Sequence, residues 1–93
     1  MLTLRAKYLI SKCFSPQDQQ DAAAYITLCA EQNEFARNDR IQIALIRCSG
    51  GTIDGLIDSI DFAEQDWRDL LVGTRFAELD DSWLTWEPDK KSS

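Results

Sequence analysis

Three apolar stripes at helical spacing constrain this chain more than any other feature. Ala6, Leu9, Ile10 and Cys13 recur at i, i+3, i+4 and i+7, and the same spacing joins Ala22, Tyr25, Ile26 and Cys29, then Ile41, Ala44, Leu45 and Cys48. A period near 3.6 residues puts each set on one side of a helix, where it needs another apolar face to cover it. No stretch alternates apolar and polar residues over the length of a strand. The expected fold is therefore all-α, a compact bundle of five or six short helices. Each stripe ends in a cysteine, which places Cys13, Cys29 and Cys48 on core-facing sides, reduced and acting as small hydrophobes.

The helix ends are written in capping chemistry. Ser15-Pro16 stops the first helix and opens the second, which runs to about Gln32, because Ser caps and Pro suits a first turn. Asp18 and Asp21 there complement the positive end of the helix dipole. Residues 33–38 read as a loop, and Asn38 or Asp39 can cap the third helix. Gly50-Gly51 ends it in the left-handed conformation that a side chain resists. Thr52 caps a fourth helix with core face Ile53, Leu56, Ile57, Ile60 and Ala63, and Asp54, Asp58 and Asp61 share its opposite face. The apolar period continues through Trp67, Leu70 and Leu71. Residues 53–72 could thus form one long helix; the preferred reading is a break at Asp66, which can cap a separate short helix, with Asp69 three positions on and Gly73 closing it. Phe76, Leu79 and Trp83 suggest one further helix. Residues 1–86 are expected to form one domain and residues 87–93 a disordered tail.

Charge is unevenly placed along the 93 residues, whose net charge is -6. Residues 1–51 carry six basic and five acidic side chains, and residues 52–93 carry four and eleven. Such a surface repels phosphate backbones and anionic lipid, which disfavours nucleic acid and membranes as partners, and suits a basic protein. The longest apolar runs fall far short of the roughly 20 residues that cross a bilayer. The interrupted N-terminus does not read as a signal peptide, so a cytoplasmic location is expected.

Most catalytic constellations lack their parts. The chain has no histidine, so the usual triads, metal-binding helices and bases of intermediate pKa cannot be assembled. Gly50, Gly51 and Gly55 follow a helix rather than a strand, the wrong context for cradling phosphate. Asp54, Asp58 and Asp61 on one helix offer carboxylates to water rather than enclosing a cation. A non-enzyme without metal or cofactor is the expectation. Trp67 lies in phase with the core stripe, with Arg68 placed to pair with Glu64 or Asp69. Trp83 and Trp86 sit in a short acidic segment that cannot bury both rings, which predicts a homodimer seam or a partner groove. The candidate partner-binding residues are Asp54, Asp58, Asp61, Arg68, Asp69, Trp83 and Trp86.

Two resemblances follow from these residues. From Ala44 to Leu71 the helix, Gly-Gly turn and paired leucines resemble a Fis-type helix-turn-helix, which implies a degenerate transcription regulator as the alternative function. The run Ala63-Glu64-Gln65-Asp66-Trp67-Arg68-Asp69 departs from that pattern, being acidic where base and phosphate contacts need basic or amide side chains. Residues 40–77, with Ser49-Gly50-Gly51 and then Asp66-Trp67-Arg68-Asp69-Leu70-Leu71-Val72, are similar to a group of short bacterial proteins without assigned function. That similarity implies a bacterial, all-helical, cytoplasmic protein and carries no catalytic residues. The function expected from the residues themselves is a small acidic protein-interaction module.

Overall fold

The strongest constraint on the architecture is a central helix with no solvent-facing side along most of its length. In a computed structural model, which describes residues 2–74 and Trp86, all six residues from Ile41 to Ile46 are buried. They belong to α3 (Asp39–Ser49), which is covered by α1 (Leu4–Cys13), by a 3-10 turn (Glu34–Arg37) and above all by α4 (Ile53–Thr74). The second helix, α2 (Pro16–Gln32), completes the cover by packing on α1, α4 and the 3-10 turn. The fold is all-α, with no strand among the described residues. No described helix is long and apolar enough to cross a membrane.

Local chemistry sets the boundaries. Thr3 caps α1 by accepting the Ala6 N–H at 3.2 Å, Asn38 caps α3 by accepting from Arg40 at 2.8 Å, and Thr52 accepts from Gly55 at 3.0 Å at the start of α4. Each bond satisfies a backbone donor that the first turn of a helix leaves without a partner. Ser15 occupies the N-cap of α2, but its hydroxyl makes no capping bond. Gly50 and Gly51 both have positive φ, 66° and 85°, and close α3 as expected. The glycines also serve packing. A Cβ on Gly51 would lie 2.7 Å from the Cys13 carbonyl oxygen, and one on Gly55 would overlap the Ser49 carbonyl. The Gly-Gly-x-x-x-Gly spacing thus lets the ends of α1 and α3 and the start of α4 meet at one corner.

One buried amide ties three elements together. Gln42, with no exposed surface, accepts the Thr3 N–H at 3.0 Å and donates to the Ala36 carbonyl at 2.9 Å. It fixes the entry of α1 and the 3-10 turn against α3, and supplies partners to groups whose burial would otherwise cost about 1–3 kcal/mol each.

Several expectations need correction. The described residues form four helices and a 3-10 turn rather than five or six helices. The segment expected as a loop at 33–38 contains that turn. The break expected at Asp66, by contrast, is present: its backbone is non-helical (φ -159°, ψ 93°), and α4 consists of a helical segment on either side of it. The Asp66 carboxylate accepts the Arg68 N–H at 3.1 Å, so it caps the second half of α4 in the expected way, but without a reciprocal bond from Asp69. Cys48 and Tyr25 are exposed, not core-facing. In the last turn of α3 the buried face passes through Ser49 instead of Cys48, because the Gly turn folds back on that side. In α2 it follows Ala22, Ile26, Cys29 and Ala30, leaving Tyr25 at the edge. The buried residues of α4 before the break are Leu56, Ser59 and Ala63, with Ile53 and Ile60 only partly covered. The expected helix through Phe76, Leu79 and Trp83 and the tail at 87–93 lie outside the described residues.

Candidate functional site

The 3-10 turn is held from three sides, and this sets up a stacked aromatic pair at the surface. Arg37 donates to the Ala30 carbonyl of α2 at 3.0 Å, and Gln42 of α3 donates to Ala36. Asn33, just before the turn, donates to the Glu64 carboxylate of α4 at 2.9 Å and to the Cys29 carbonyl at 3.3 Å. Phe35 is thereby presented to α4 immediately after its break, where it stacks on Trp67 with ring centroids 6.4 Å apart and planes 13° from parallel. The Arg68 guanidinium lies 5.4 Å from the centre of the Trp67 ring. Such contacts are each worth about 0.5–1.5 kcal/mol and fix the indole in place.

Beside this pair is a cleft of about 420 Å³ lined by Glu34, Phe35, Asn38, Arg40, Ile41, Trp67 and Leu71. Ile41 and Leu71 belong to the buried core, while Trp67 remains 37% exposed. The lining offers aromatic faces, aliphatic surface, one carboxylate, one guanidinium and an amide. The lining contains no hydroxyl, thiol or imidazole.

Cys29, whose sulfur accepts from Asn33 just before the turn, is buried and carries a pKa raised above its ordinary value. Burial is the main cause, the Glu64 carboxylate adds to it, and the hydrogen bond from Asn33 opposes it. The sulfur therefore stays a neutral thiol and serves packing. Among the described residues no three Cys, Asp or Glu side chains gather to hold a metal ion.

The expected site residues are distributed over separate surfaces. Asp54, Asp58 and Asp61 are exposed on the first half of α4, and Arg68 and Asp69 are exposed beyond its break. Arg68 pairs with neither Glu64 nor Asp69 but lies over Trp67, and Glu64 is engaged by Asn33 instead. Trp67 is displaced from the core stripe because the break at Asp66 shifts the helical phase, so that Leu70, Leu71 and Thr74 take the buried positions. Trp86 is partly buried at the opposite end of α3: its carbonyl accepts from Arg5 at 2.8 Å and its ring lies 5.7 Å from the Arg47 guanidinium. Trp83 lies outside the described residues.

Phe35, Arg40 and the cleft itself were not anticipated. The available signal was a single aromatic residue within Asn33-Glu34-Phe35-Ala36-Arg37-Asn38, where a loop has no local use for a phenyl ring. No protein-family model matches the chain, and no curated protein or solved structure matches it either. Neither resemblance noted in the sequence contributes to the reading of the cleft.

Proposed function

We propose that this chain is a non-catalytic protein-interaction module that docks a basic partner along α4, with Trp67 as the anchor. The observation that carries this reading is the Phe35–Trp67 stack beside a cleft of mixed apolar and polar lining, flanked by Arg68. Trp and Arg are the residue types that most often dominate binding energy at interfaces, and a ring already held by its neighbours loses little freedom when a partner covers it. The basic character of the partner follows from α4, which carries six carboxylates against one guanidinium. Those charges steer encounter, while the cleft supplies affinity. The acidic run around Asp66 disfavours the regulator alternative, because it would face phosphate with like charge.

The test is retention of proteins from native-cell extract on immobilised wild-type chain and on the Trp67→Ala variant, with helicity of the variant checked by circular dichroism. The wild type is expected to hold one basic protein stoichiometrically, and Trp67→Ala to bind it at least about tenfold more weakly, the loss typical of an anchor residue. Equal retention by both proteins, or no stoichiometric partner, would sink the proposal.

A further inference from the structure

The basic and acidic side chains of this molecule are sorted onto two helices. α1 carries Arg5, Lys7 and Lys12 and no acid, whereas α4 has six acids and one base. The two meet at a corner, since Gly51, just before α4, sits against the carbonyl of Cys13 at the end of α1. Lys7, Lys12, Asp54, Asp58 and Asp61 are all exposed, and none forms an ion pair with another described residue. Each helix also presents apolar surface beside its charges: Leu4 is 82% and Tyr8 40% exposed on α1, and Phe62 is 42% exposed on α4.

The order of these residues is complementary. Leu4, Tyr8 and Lys12 form one ridge of α1 at i, i+4 and i+8, with Lys7 beside it; Asp54, Asp58 and Phe62 form the matching ridge of α4, with Asp61 beside it. Both ridges span about 12 Å at the helical rise. Laid antiparallel, Leu4 meets Phe62, Lys7 and Tyr8 meet Asp58 and Asp61, and Lys12 meets Asp54. Leu4 then faces Phe62, and each of the two exposed lysines faces a carboxylate.

We infer that a second copy of this chain docks here, α1 of each protomer lying antiparallel on α4 of the other in a twofold pair. Adjacent patches of opposite sign are what a twofold interface requires, because the same surface must be complementary to itself. The net charge of -6 opposes association at long range. At about 0.1 M salt, where the Debye length is about 10 Å, that repulsion is screened while charges in contact still attract. The ridges are short, so the pair is transient, with a dissociation constant on the order of 0.1 mM.

The inference rests on the reading of α4 as an interaction surface, and it is tested on the purified full chain by sedimentation equilibrium in about 0.1 M and about 1 M salt. The expected result is a monomer–dimer equilibrium at the lower salt that weakens at the higher. Lys7→Glu/Lys12→Glu and Asp54→Lys/Asp58→Lys should each weaken it by at least about tenfold, and an equimolar mixture of the two variants should restore it, because both contact ridges then regain opposite charges. Loss in both variants without recovery in the mixture would overturn the inference, as would a monomeric mass throughout or association that ignores the charge reversals. A monomeric wild type that still retains a basic partner through Trp67 would overturn only the dimer and leave the proposed function standing.

Discussion

Two neighbouring glycines show how far a residue's role depends on what lies across from it. Gly50 and Gly51 both hold positive φ, but a Cβ on Gly50 would meet no atom within 4 Å, while one on Gly51 would press on a backbone carbonyl of α1. Gly50→Ala should therefore cost about 1 kcal/mol of backbone strain, and Gly51→Ala about 2–3 kcal/mol, since the carbonyl of Cys13 cannot move without α1. Urea unfolding of the two variants measures the difference. Cys29 makes a second residue-scale prediction, through pH. Its folded pKa is raised by burial, so at pH above about 8.5 the unfolded chain loses this proton while the folded chain retains it. The unfolded state then binds fewer protons, and stability falls as pH rises through that range. Cys29→Ala should be less stable at neutral pH but show a flatter decline between pH 8 and 10 in denaturant titrations. Cysteine position was only partly legible in the sequence: periodicity placed Cys29 correctly and Cys48 wrongly, because in the last turn of α3 the buried face shifts to Ser49 and leaves Cys48 outside.

At the scale of the element, α4 carries both the fold and the candidate site because it is broken. Its first half buries Leu56 and Ala63, and its second half buries Leu70 and Leu71 after a change of phase at Asp66. The carboxylate of Asp66 sustains the break by capping the Arg68 N–H, and the break turns Trp67 out onto Phe35. Asp66→Ala should cost about 1 kcal/mol, as loss of a helix cap does. It should also diminish the near-ultraviolet circular dichroism that the stacked rings contribute, and an unchanged aromatic signal would show that packing of Leu70 and Leu71, not the cap, sets the break. The helix start at Asp66 was readable from capping chemistry. The outward turn of Trp67 was not, because a periodic pattern extrapolates one phase and cannot register a discontinuity of a single residue.

The whole molecule is organised around α3, whose buried surface meets α1, α4 and the 3-10 turn together. Leu45, near the middle of that helix, is one of its large side chains with no exposed area. Leu45→Ala should cost about 3 kcal/mol, and for a chain of this size lower the melting temperature by more than about 10 °C. Helicity and tryptophan fluorescence should still be lost together, as in a single cooperative unit; separate transitions would show that α4 and the 3-10 turn form a structure of their own. The sequence by itself determined the helical class, the end of α1, the extents of α2 and α3 to within a residue, the cap at Thr52, and the segregation of charge, since periodicity, capping and composition act within a few residues along the chain. The tertiary structure alone decided which stripes are covered, why Gly51 and Gly55 cannot carry side chains, and that Phe35 meets Trp67. Those outcomes depend on which surfaces remote in sequence come to share a boundary, and that is fixed only when the helices pack against one another.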